Sequence, residues 1–164
     1  MATYLSSKGE LPKTIYHEKS KSSRDDNLNW IHPDMVSVQF HKLKDESTNS
    51  LRKAVDISSA ITINSYELKR VINTDPELKK YFFQAVSNSS WANYGYLVAY
   101  DINSDLDKEI KRLNKSFGIG VIQLHSNPFD STVLAPATHK DLDFETIDKL
   151  AGVNSDFSEF IEQT

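Results

Sequence analysis

Two stretches carry the residue types best suited to chemistry: Ile31-His32-Pro33-Asp34-Met35-Val36 and Ser65-Tyr66-Glu67-Leu68-Lys69. Read together they spell P-D followed by E-x-K. A carboxylate on one strand, with a carboxylate and an ammonium two residues apart on a following strand, can hold a divalent cation beside a phosphodiester. Hard cations prefer carboxylate, carbonyl and water oxygens, which this set offers. Two carboxylates brought together raise each other's pKa, and a bound Mg²⁺ or Mn²⁺ reverses that penalty.

The elements that must position these groups are strands. Side chains alternate along a strand, so Glu67 and Lys69 share one face, continued by Ile61 and Ile63 before them and by Val71 after. Asp34 shares a face with Val36, Val38 and Phe40. Each strand therefore ends an apolar face with charge. An uncompensated buried charge is costly, so the two strands are expected to be adjacent and antiparallel, their charges meeting each other or a metal. The competing interpretation is a pair of unrelated patterns: E-x-K as a solvated ion pair, and Pro-Asp as a turn.

Around them the order is β-β-β-α-β-α-β-α. Thr14–His17 reads as a short strand, Ser20–Asn29 as a loop, Trp30–Phe40 and Ala60–Ile72 as the two site strands, and Lys42–Asp56 as a long connection or a mobile hairpin excursion. Asn73-Thr74-Asp75-Pro76 starts a helix whose Leu78, Tyr81, Phe82, Ala85 and Val86 recur at helical spacing to about Ser89. Tyr94–Ile102 is an apolar run of strand length, Asp105–Asn114 an amphipathic helix stopped by Gly118, and Ile119–Leu124 another buried strand. The fold expected is α/β: an α/β/α sandwich around a mixed five-stranded sheet. Residues 1–13 are a polar lead-in, 14–124 the core, and 142–164 an acidic helical tail, all in one domain.

Composition agrees with a single domain. The chain has 164 residues, 38 % hydrophobic and 26 % charged, enough for a core without staples. Absence of cysteine excludes disulfides and thiolate zinc sites. The histidines have no short metal-ligand spacing, and no apolar run approaches a membrane span, so a cytoplasmic protein with no membrane contact is expected. A net charge of −4 runs against the electropositive footprint usual in nucleic-acid binders, although acidic residues concentrate near the C-terminus.

Asp34, Glu67 and Lys69, the meander and the helix after it resemble the PD-(D/E)XK nuclease superfamily, over roughly Thr14–Leu124. The block from Phe82 through Asn93, then Gly95–Ala99 and Phe117–Ile122, is similar to HrgA-type proteins found beside bacterial restriction–modification systems. The resemblance implies a restriction-endonuclease-like fold and an Mg²⁺- or Mn²⁺-dependent nuclease acting on nucleic acid, DNA first. Asp34, Glu67 and the Leu68 carbonyl would be metal ligands. Lys69 would orient or help deprotonate the attacking water and offset charge on the phosphate. Gln84 stands where some RecB-like members carry a supporting glutamine, with Asn88 one turn further on the same helix face.

The departures are at the N-terminus. Superfamily members begin with a helix that often bears an acidic residue of the site; here that segment is short and polar, and Glu18 is a substitute. HrgA-type chains are often longer, with an upstream winged-helix region, so an upstream DNA-binding domain or a homodimer is implied. The Lys42–Asp56 stretch is the expected DNA-contacting loop. Two other classes compete: a catalytically silent nuclease-fold domain that binds nucleic acid or a protein, and an interaction module using the acidic C-terminal helices. His32-Pro33-Asp34 also spells the J-domain signature, but it runs directly into an alternating strand instead of a loop between long helices. Trp91, Tyr94 and Tyr96 read as core packing before base stacking.

Overall fold

The computed structural model describes residues 1–16, 32–41, 44–55 and 60–164. Its elements are α1 (Ala2–Ser7), β1 (Leu11–Thr14), β2 (Met35–Phe40), α2 (Glu46–Val55), β3 (Ile61–Ile72), α3 (Asp75–Asn88), β4 (Tyr94–Ile102), α4 (Asp107–Phe117), β5 (Gly120–Gln123), β6 (Thr132–Ala135), α5 (Phe144–Val153) and α6 (Ser155–Glu162). Single 3₁₀ turns lie at Ser104–Leu106 and Pro128–Asp130.

The strands form one open mixed sheet in sequence order, β1 to β6. β1, β2 and β3 make the expected antiparallel meander; β3, β4 and β5 run parallel; β6 returns antiparallel to β5. The sheet has six strands among the described residues, not five. The strand missed is β6, whose four residues before Pro136 are too few to show a period. The first strand is Leu11–Thr14 instead of Thr14–His17, although Ile15 still donates its N–H to the Asp34 carbonyl. His17, Glu18, the Ser20–Asn29 loop and the Trp30–Ile31 start of the second strand lie outside the described residues.

One face of the sheet carries two apolar clusters. Leu97, Ala99 and Val121 pack with Leu78, Phe82 and Ala85 of α3 and Ile110 and Leu113 of α4. Val36, Val38 and Ile63 pack with Trp91 and with Ile147, Leu150, Phe157 and Phe160 of the last two helices. On the opposite face Tyr4 and Leu5 of α1 cover Met35, Tyr66, Val98 and Ile122. β4 is therefore buried on both sides, which explains its unbroken apolar run.

α3 is the element that matters most for position. Its start is a capping box: the Thr74 hydroxyl accepts from the Glu77 N–H, and Glu77 Oε2 accepts the Thr74 N–H at 3.1 Å. At its other end the Asn88 carbonyl, orphaned by the helix terminus, accepts from the Ser65 hydroxyl and the Trp91 indole, both at 3.0 Å. That pair fastens the last turn of α3 to β3. α4 ends as expected on Gly118, whose φ of 74° is the left-handed conformation a helix stop requires.

Two local expectations need correction. Lys42–Asp56 is not a featureless connection: Glu46–Val55 is helical, with Asp45 Oδ1 accepting the Thr48 N–H at 3.0 Å. The first five residues of this helix, Glu46 to Ser50, are all polar, so no apolar stripe runs its length to betray it. The N-terminus likewise holds a short helix. α1 contains no acidic residue and lies on the face opposite Glu67.

Candidate active site

β2 ends toward the site because Pro33 has no N–H to continue a ladder. Asp34, one residue ahead of β2, is held by its surroundings: its N–H donates to the Tyr66 carbonyl at 3.2 Å, its carbonyl accepts from Ile15 at 3.1 Å, and its Oδ2 accepts the Leu68 N–H at 2.8 Å. β2 and β3 are adjacent and antiparallel, with Met35 opposite Tyr66. Carrying that register one step further sets Asp34 beside Glu67, on the same face.

Glu67 is almost fully buried, at 1 % exposure, between the two apolar clusters. Its Oε1 accepts from Lys69 Nζ at 2.6 Å, and its Oε2 from Asn88 Nδ2 at 2.6 Å. Burial pushes the Glu67 carboxyl above the usual range, and the negative charge of Asp34 pushes it further; Lys69 and Asn88 pull the other way and offset only part of this. The repulsion from Asp34 agrees with the β2–β3 register, which sets the two carboxylates side by side. Lys69 lies at the mouth, 21 % exposed, with Nζ 5.0 Å from the centre of the Tyr81 ring.

The structure therefore brings together Asp34, Glu67 and Lys69. It also turns the Leu68 main chain toward them: its N–H bonds Asp34, and a strand residue's N–H and C=O project to the same edge. Gln84 is half-buried on α3 between Tyr81 and Asn88, and makes no hydrogen bond to the three among the described residues. The α3 residues that do touch them are Asn88 and Tyr81. Helical spacing set Asn88 on the right face, but a polar residue at the end of a helix reads equally well as a cap. Tyr81 reads as an inward helix position, and its role only becomes visible once α3 is laid on β3.

The donor set suits a hard divalent cation. Asp34, Glu67 and the Leu68 carbonyl offer oxygens only, and a bound cation would offset both the burial of the Glu67 carboxylate and the repulsion from Asp34. Asn88 Oδ1 adds a buried acceptor with no hydrogen-bond partner among the described residues. The described residues hold no group of three His, Asp or Glu side chains placed to bind a metal ion. Of the histidines, His41 bonds Thr62 at 2.6 Å and His139 packs edge-on to Tyr94. Trp91 is buried against Phe157 and Tyr96 stacks on Tyr66 at 5.3 Å, so these aromatics serve packing.

No helix among the described residues is long and apolar enough to cross a membrane. The chain matches no protein-family model, no curated protein and no solved structure, so the site stands on its own geometry.

Proposed function

We propose that this protein is a metal-dependent nuclease that hydrolyses phosphodiester bonds of DNA, of the PD-(D/E)XK kind and serving restriction–modification or DNA defence. The observation that carries this reading is the meeting of Asp34, Glu67 and Lys69 on one sheet face, from strands 34 positions apart at the Asp34–Leu68 bond. The wider resemblance to HrgA-type proteins supports the defence setting and the bacterial, cytoplasmic location.

Uncatalysed phosphodiester hydrolysis is slow because a weak nucleophile must approach an anion. Asp34, Glu67 and the Leu68 carbonyl would hold Mg²⁺ or Mn²⁺, which when bound supplies a Lewis acid and makes water a competent nucleophile near neutral pH. The chain's own residues do the rest. Asp34 is fixed by main-chain hydrogen bonds, so its carboxylate has little conformational freedom to lose. Asn88 holds the Glu67 carboxylate from behind. Lys69, on a flexible stem at the mouth, brings a donor and a positive charge to the phosphate oxygens where negative charge accumulates.

The test is a cleavage panel of single- and double-stranded DNA, branched junctions, modified DNA and RNA, with Mg²⁺, with Mn²⁺ and with EDTA. Metal-dependent cleavage of a DNA substrate is expected. Binding to the panel without cleavage at any metal concentration would instead establish a silent nuclease-fold domain.

A further inference from the structure

Glu67 already has a cation. Lys69 Nζ sits 2.6 Å from Oε1, while Asn88 donates to Oε2, so each oxygen of the buried carboxylate already has a donor. A hard divalent ion approaches a carboxylate oxygen to about 2.1 Å. With the ammonium on that same oxygen, the two cations would lie within about 4.7 Å of each other in a site 99 % closed to solvent at Glu67. They would repel strongly. Asn88 is the less movable partner, because its carbonyl is pinned by Ser65 and Trp91. Lys69 is the movable one: it is partly exposed, and the Tyr81 ring, whose centre already lies 5.0 Å from Nζ, can keep hold of the ammonium as it leaves Oε1.

We propose that Lys69 is the resident counter-ion of Glu67, and that a divalent cation enters by displacing Nζ from Oε1 toward the Tyr81 ring. This rests on the metal-site reading above and adds a regulation to it. Without the cation the lysine is held inward on Glu67 and cannot serve a phosphate. The event that fills the site is the same one that frees the lysine, so a phosphate contact from Lys69 exists only in the cation-filled state.

The experiment is Mn²⁺ titration at pH 7.5, read by electron paramagnetic resonance of the free ion, on wild type, Lys69→Met and Asp34→Asn. Methionine keeps the stem and removes the competing charge, so Lys69→Met should bind Mn²⁺ at least 5-fold more tightly than wild type, and Asp34→Asn should lose binding. Wild type and Lys69→Met binding equally, or the variant more weakly, would overturn the displacement. No Mn²⁺ bound by any of the three would overturn the metal reading itself, and the displacement with it. If Lys69→Met does not fold, as judged by circular dichroism, wild type decides alone. The Lys69 ¹⁵Nζ resonance should then shift on saturation with Mg²⁺, its protons moving upfield over the ring, and an unmoved resonance under saturating Mg²⁺ refutes the inference.

Discussion

Asn88 reaches back from the last turn of α3 to grip Glu67: Nδ2 donates to Oε2 at 2.6 Å across a gap of 21 sequence positions. Both residues are buried, and Oδ1, the oxygen of the same amide, has no partner among the described residues. The contact makes the helix part of the site, because the strand alone would leave one oxygen of a desolvated carboxylate unsatisfied.

Asn88→Asp replaces that donor with a second carboxylate at hydrogen-bond distance from the first. A buried charge without compensation costs on the order of 3–5 kcal/mol. The variant should lose that much stability at pH 8 and clearly less at pH 5, where the pair can share a proton. Urea unfolding at the two pH values measures it, and an equal loss at both would show that the charge of Glu67 is not the cause.

Glu67 itself sets a pH dependence. Its pKa is raised in the folded protein, first by burial and then by Asp34, so its stabilising contribution is complete below the unfolded value and fades as pH climbs through the folded one. Relative to Glu67→Gln, which cannot titrate, metal-free wild type should therefore lose ground from pH 5 to pH 8. Thermal melts of both proteins across that range give the difference directly; a gap that stays flat, or grows in favour of wild type, contradicts the raised pKa.

For cleavage, Lys69→Ala should lower the rate about 10²–10³-fold, the usual effect of removing one electrostatic donor from a developing charge. Asp34→Asn should abolish cleavage and metal binding together, since a neutral amide is a poor ligand for a hard cation. Lys108→Ala, on the exposed side of α4, should change neither. Single-turnover rates on the best substrate of the panel decide, and an unimpaired Lys69→Ala would remove the lysine from the chemistry.

The support of the site can be probed away from it. A Cβ on Gly95 would collide with the Ser89 side chain and come within 2.9 Å of Ile119, just where α3 hands over to β4. Overpacking of this kind costs about 1–3 kcal/mol, so Gly95→Ala should be destabilised by that amount in chemical denaturation. Thr74→Ala, which removes only the helix cap, should cost about 1 kcal/mol.

Most of what positions the site was legible before any coordinates. Ile61–Ile72 and Tyr94–Ile102 declare themselves by length and apolar pattern, α3 by its capping box and inward stripe, and the pairing of Asp34 with Glu67 by the cost of stranding either charge at the end of an apolar face. What stayed hidden has physical reasons. The first half of α2 is polar throughout, so periodicity does not find it. α1 and β6 are too short to show a period. Asn88 and Tyr81 became site residues only through α3 lying across β3, a long-range arrangement that local spacing does not encode.

The sequence separations inside the site carry a consequence for how it assembles. Glu67 and Lys69 are 2 positions apart and Glu67 and Asn88 are 21, whereas the Asp34–Leu68 bond spans 34. The glutamate, the lysine and the asparagine thus belong to one βα unit whose loops close at little entropic cost, while the second carboxylate must be delivered by docking β2 on β3 across a wider loop. A refolding chain can therefore close its lysine–glutamate contact from one strand alone, whereas Asp34 joins the other two only once the meander is complete.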